Sequence, residues 1–202
     1  SQLSLRPLGD AGDTIDLSLA VDEGGQQAKL DAQISAPRKG LIGRLIGVDL
    51  PLLLSVSGDG PINDWQAQAR LSSDDAEIAS LRWDRFGASS RLQGDVDPSL
   101  LLGAANRQSL GGRYGIDIDA TATTRAVLLL AGRLQGPPGT VMFDGGIGYR
   151  AALRFEDMVL TIEPDASQAA RIGIAGIAIE EPRIDAVLNG PLAQPLAQAR
   201  VA

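Results

Sequence analysis

Residues 56–71 read Val-Ser-Gly-Asp-Gly-Pro-Ile-Asn-Asp-Trp-Gln-Ala-Gln-Ala-Arg-Leu. An apolar run reaches Gly58-Asp59-Gly60-Pro61, the chain turns, and alternation of apolar and polar residues begins again at Trp65. The pattern returns without a gap: Gly60-Pro61-Ile62 and Ala67-Gln68-Ala69-Arg70-Leu71 match Gly190-Pro191-Leu192 and Ala197-Gln198-Ala199-Arg200-Val201. A weaker third copy, Gly132-Arg133-Leu134-Gln135-Gly136-Pro137, again ends an alternating run in Gly-Pro. Glycine permits positive φ, and proline fixes φ while removing a donor, so the pair suits a strand that must stop and reverse. A recurring unit of strand, corner and strand predicts a stacked β architecture rather than one closed globule.

Alternation extends outward from that stretch. Ile15, Leu17, Leu19 and Val21, then Ala28, Leu30, Ala32 and Ile34, predict a hairpin turning at 23–26. Leu41, Ile42, Leu45 and Ile46 fall at helical spacing and predict a short helix or capping loop. Leu50 to Val56 leads into the first corner, and Trp65–Leu71, Ala79–Trp83 and Ala88–Val96 continue the strands. Asp97 as N-cap and Pro98 at N1 predict a second short helix through about Asn106, with Leu101 and Leu102 placed to plug one end of the sheet. Tyr114–Ala122 and Ala126–Leu130 follow. Ile147–Phe155 is expected to form a hairpin with Met158, Leu160 and Ile162 across Glu156-Asp157, and Ile172, Ile174, Ile177, Ile179, Ile184, Ala186 and Leu188 close the series. Roughly a dozen strands at this spacing also fit a sandwich or barrel, and the repeat favours the elongated sheet.

The chain has 202 residues, 44% hydrophobic but 3% aromatic, with 24 glycines. Its apolar surface is therefore aliphatic and short of the large anchors that knit a compact core. The net charge of −7, with Lys29 and Lys39 the only lysines, argues against nucleic acid. The same net charge, with the arginines scattered one at a time among acids, also argues against adsorption to anionic membrane surfaces through a polybasic face. There is no Cys and no His, which removes thiolate chemistry and the commonest general base. No apolar run reaches the ~20 residues of a membrane helix. The start at Ser1 and the break-off after the last repeat copy suggest one elongated segment, 1–202, of a longer protein.

The motifs for chemistry are incomplete. Gly136-Pro137-Pro138-Gly139-Thr140 resembles the start of a phosphate-binding loop, but Val141 and Met142 stand where Gly-Lys is required, so a turn and no nucleotide is expected. Gly145-Gly146-Ile147-Gly148 resembles one calcium-binding nonapeptide, with Arg150 in place of its acid, and reads as a hairpin turn. Asp59, Asn63 and Asp64, Asp74-Asp75 and Glu180-Glu181 offer oxygens without the spacing of a calcium loop. Paired acids could cleave sugars, but few aromatic platforms accompany them. No catalytic residue, metal or cofactor is expected.

The run Ser57–Ala67, the later Gly94-Asp95-Val96-Asp97-Pro98-Ser99-Leu100-Leu101 and the recurring Leu-x-Gly-Pro-Leu resemble the TamB family (translocation and assembly module, inner-membrane subunit) and more broadly the AsmA-like family. The resemblance is in style of repeat and spans most of the chain. It implies an all-β fold, an elongated curled sheet of the β-taco or open-solenoid kind. It further implies a periplasmic segment of an inner-membrane-anchored protein that carries phospholipid acyl chains between the membranes. Outer-membrane protein assembly with a TamA-like partner would belong to the parent chain. The groove would be lined by Leu17, Leu19, Leu30, Ile34, Leu54, Val56, Leu92, Val96, Ile116, Ile118, Leu128, Leu130, Ile172 and Ile174, provided every strand turns its apolar side inward; a slip of one residue reverses a strand. The alternative is a structural β-solenoid or adhesin-like stalk whose interior is filled by its own side chains.

Overall fold

The computed structural model describes residues 2–5, 12–102, 106–107, 111–150, 152–165 and 183–201. Its strands are β1 (Gln2–Leu5), β2 (Thr14–Val21), β3 (Gln27–Ala36), β4 (Leu52–Pro61), β5 (Asp64–Ser73), β6 (Ala76–Phe86), β7 (Ser89–Val96), β8 (Tyr114–Ala122), β9 (Val127–Gly136), β10 (Gly139–Gly148), β11 (Arg154–Pro164), β12 (Ile184–Pro191) and β13 (Leu196–Val201). All thirteen lie side by side in chain order in one sheet, and every neighbouring pair is antiparallel. The sheet is open, since β1 and β13 are its two ends and are not paired with each other. Each strand pairs with its sequence neighbour, most of them through a tight turn, the shortest route to a ladder.

The two rims differ. The turns at 22–26, 62–63, 87–88, 123–126 and 192–195 and the β10–β11 connection line one rim, and the longer β3–β4 and β7–β8 connections share the other with tight turns at 74–75 and 137–138. Both matched Gly-Pro corners fall on the tight-turn rim. Gly60 and Gly190 take φ of 129° and 90°, which an L side chain resists. The prolines lack an N–H, and the next residue makes the link back instead: Ile62 donates to Gln26 O and Leu192 to Leu153 O, each at 2.9 Å. Each corner thereby ties its hairpin to the one before. The third copy differs, because Gly136-Pro137 turns the chain at the opposite rim.

The short helix is α1 (Leu41–Ile46). Gly40 at its N-cap has no side chain to offer, and Asp13, at the foot of β2, supplies the acceptor: its Oδ2 takes the Ile42 N–H at 2.9 Å. Gly40 is obligatory there, because a Cβ would collide with Asp13 Oδ1 and stand 2.9 Å from Pro37 O. Gly47 closes the helix in the left-handed conformation. Ile42 and Val48 pack with Leu71 and Leu101 around Ala36, Leu52 and Ile78, which forms a small plug at this rim.

Ile78 is the most buried large side chain, at 1% exposure, and Met158 follows at 3%. Each sits at a β-bulge. The β5–β6 register shifts after Leu71, leaving Ile78 as the extra residue; the β10–β11 register shifts across Asp157-Met158 and the β11–β12 register just before Met158. Asp157, at φ 49°, is held in the second bulge by Asn189, whose Oδ1 accepts the Asp157 N–H at 2.8 Å while its Nδ2 donates to Asp157 Oδ1 at 3.2 Å.

Three sequence expectations are corrected. Glu156-Asp157 is no hairpin turn but lies inside β11, and the reversal comes at 149–153. Gly145–Gly148 likewise lies inside β10, because its glycines leave room for the bulge and for neighbouring side chains rather than for a turn. Asp97 does cap a helix, accepting from Ser99 N at 2.9 Å, but the described helix is a 3-10 turn, Pro98–Leu100; residues 103–105 lie outside the described residues. The strands expected around Ile172, Ile174, Ile177 and Ile179 also lie outside them.

Candidate functional site: the apolar face

In an antiparallel ladder, directly paired residues share a face, so register alone fixes which side chains stand together. Leu17 and Leu19 pair with Ala32 and Leu30; Ile34 with Leu54; Leu54 with Leu71; Leu71 with Ala79; Ala79 with Val96. The series continues through Leu92 with Ile118, Ile116 with Leu134, Ala120 with Leu130 and Ala122 with Leu128. The twelve described groove candidates, Leu17, Leu19, Leu30, Ile34, Leu54, Val56, Leu92, Val96, Ile116, Ile118, Leu128 and Leu130, therefore occupy one face. Ile172 and Ile174 lie outside the described residues. Leu71, Leu134, Val141, Ile162, Ile184 and Leu188 stand on the same face and extend it to β12. Their signal in the sequence was parity relative to the corners, which becomes usable only once each bulge is located.

Apart from the bulge residue Asp157, Arg85 is the one charged residue that register puts on this face among the described residues, and its Nε donates to Gly87 O at 3.2 Å, at the rim. Among the described residues no second sheet covers this face, and the rim plug around α1 is what packs on it. Among the described residues only Ala36, Leu52, Ala67, Ile78 and Met158 are buried hydrophobics. Along β3, β4, β5 and β9 the apolar positions are mostly half-buried and the polar positions mostly exposed. Side chains on the apolar side therefore shelter one another more than those on the polar side do.

Aromatic side chains recline on it over glycines. Trp65 crosses β4 above Gly58 to donate its indole N–H to Ala28 O at 3.2 Å, and it meets Trp83 edge-on with ring centroids 5.4 Å apart. Phe143 lies over Gly132 in the same way, and Tyr114 over Gly136. A glycine deprived of cross-strand contact regains it from the ring, and the ring is held close to the strand it crosses.

The opposite face carries the charges. Arg91 grips Asp117 with two hydrogen bonds, at 3.0 and 2.8 Å, and holds its carboxyl below the usual range. Arg82 bonds Asp84 at 2.9 Å. Asp185 is also held low, first by the Thr161 hydroxyl at 2.8 Å and then by Arg183. The exposed Arg91–Asp117 pair contributes little to stability, whereas Asp84 and Thr161 are buried beneath their partners, and together these groups mark the polar face.

The other candidates are dispersed. Gly136-Pro137-Pro138-Gly139 is the β9–β10 turn, Asp59 and Asp64 are exposed at the ends of β4 and β5, and Asp74-Asp75 is the β5–β6 turn. Glu180-Glu181 lies outside the described residues. No family model matches this chain, and neither a curated protein nor a solved structure does.

Proposed function

We propose that the chain is a segment of a lipid-conducting protein and that its apolar face is a trough for acyl chains. The observation behind this reading is the aliphatic face, continuous by register from β2 to β12 and covered among the described residues only by the rim plug, on which register sets one charged residue outside a bulge. Burial is worth about 0.8 kcal/mol per methylene, so a hydrocarbon chain laid along such a surface gains several kcal/mol. Aliphatic contact is also non-directional, which lets the chain slide between equivalent positions. The rings of Trp65, Phe143 and Tyr114 lean over glycines of neighbouring strands and add apolar surface to the face. A self-filled stalk would need side chains packed against this face from a second layer, and the small number of buried hydrophobics speaks for the trough instead.

In the terms of the family it resembles, the chain would be a periplasmic part of a bridge between inner and outer membranes, and a TamA-like partner would engage the parent protein elsewhere. The test is native mass spectrometry of the purified chain followed by lipid extraction, with photo-crosslinking residues at Leu54, Leu92 and Ile118 compared with Ser55, Gln93 and Asp117 on the other face. Phospholipid adducts at the first set alone are expected. Absence of bound lipid, or equal labelling of both faces, would overturn the reading.

A further inference from the structure

At the tight-turn rim, the turns at 123–126, 149–153 and 192–195 form one contiguous tip. Tyr149 donates its backbone N–H to Ala126 O at 3.0 Å, and Leu192 donates to Leu153 O at 2.9 Å. Three arginines that are far from forming a basic run in the sequence, Arg125, Arg150 and Arg154, line one hollow of about 420 Å³ there, with Glu156 the single acid in its wall. Gly148 leaves room for it: a Cβ would stand 2.6 Å from Glu156 Oε1 and 3.1 Å from Arg154 Cγ. These three make no ion pair among the described residues, as is also true of Arg70, Arg133 and Arg200, but only these three share one hollow with a single acid, whereas Arg82, Arg91, Arg113 and Arg183 are ion-paired. The first turn of the same rim, by contrast, carries Asp22 and Glu23. The tip also presents Tyr149, Leu153 and Leu192 to solvent, at 49%, 53% and 43% exposure.

Unpaired guanidinium groups beside an exposed tyrosine and leucines make up the side-chain set that settles at a membrane–water interface. The long cationic chains reach phosphate while aromatic and aliphatic groups enter the headgroup layer. We propose that this tip docks on the surface of an anionic phospholipid bilayer, with the hollow taking a lipid phosphate. A guanidinium fork matches two phosphate oxygens, which suits arginine better than lysine for the task. The net charge of −7 opposes approach by the rest of the chain, so contact is confined to this end of the rim. Nothing in the docking requires lipid in the trough, and the two ideas fail separately. Should both hold, strands β9 to β12 bring the trough to the bilayer at this point.

The test is flotation of the 202-residue chain with phosphatidylcholine vesicles and with vesicles carrying about 30 mol % phosphatidylglycerol, at low salt and at about 0.5 M NaCl. Binding is expected to the anionic vesicles only and to be released by salt. The combined variant R125Q/R150Q/R154Q, folded as judged by far-UV circular dichroism, is expected to bind roughly a hundredfold more weakly, given the attraction of about three basic residues. Y149S/L153S is expected to bind less tightly while remaining salt-sensitive, and Arg91→Gln, on the charged face of the sheet, to bind as the parent does. Equal binding to neutral vesicles, insensitivity to salt, no binding at all, full competition by inorganic phosphate, or a triple variant that binds normally would each overturn the proposal. Salt sensitivity of the unaltered chain decides the matter if the triple variant does not fold.

Discussion

Replacing Gly58 by Ala tests whether the reclining tryptophan is built into the sheet. A Cβ at this position would stand 2.5 and 2.7 Å from Trp65 Cζ2 and Cη2, so the indole must lift. It then loses its bond to Ala28 O, worth about 1 kcal/mol. It also loses the edge contact with Trp83, another ~1 kcal/mol, and some apolar area, at about 25 cal/mol per Å². Alanine recovers roughly 0.5–1 kcal/mol over glycine in a strand interior, so the expected net loss is about 2 kcal/mol. Urea unfolding followed by tryptophan fluorescence and far-UV circular dichroism measures it. In a Trp65→Ala background the same change should cost less than half as much, the remainder being the approach of the Cβ to Gln66 O at 2.8 Å. The lifted indole would also stand in the trough, so bound lipid should fall in the single variant. An equal cost in both backgrounds, or a loss below about 0.5 kcal/mol in the parent, would refute the reasoning.

Ile78→Ala should cost about 2–5 kcal/mol in urea unfolding, because it empties the centre of the rim plug. Asp13→Ala should destabilise by about 1 kcal/mol and speed amide exchange at Ile42, with Asp13→Asn losing less because it keeps an acceptor. The carboxyls of Asp97, Asp117 and Asp185 sit below their ordinary range, so the unfolded chain binds protons first as pH falls. Their contribution is present above an unfolded value of about 3.9 and is lost as pH falls through the folded values. Urea midpoints should therefore drop below about pH 4, and the difference between the parent and Asp117→Asn should shrink there.

The fold was largely legible because a period of two with one polar side carries both the strand and its orientation, as in Ile15–Val21 and Ala28–Ile34. The Gly-Pro matches at 60 and 190 also located two corners at one rim. The reading failed where a strand departed from strict alternation. Glu156-Asp157 looked like a turn since two polar residues interrupt an apolar run. The structure resolves the interruption as a bulge, because Asn189, 32 residues away, bonds both ends of Asp157. A partner that distant leaves no local trace. The cap on α1 was hidden for the same reason, its acceptor coming from Asp13 across 29 residues.

By itself the sequence determined that the chain is a succession of amphipathic strands with an aliphatic side, since alternation and turn chemistry are local properties of the backbone. Tertiary structure decided that those sides form one face and that the bulges preserve it from β2 to β12. It also decided that Arg125, Arg150 and Arg154 meet at one tip. Those outcomes depend on register and on which turns share a rim, which are set by hydrogen bonding between strands rather than by the order of residues within any one of them.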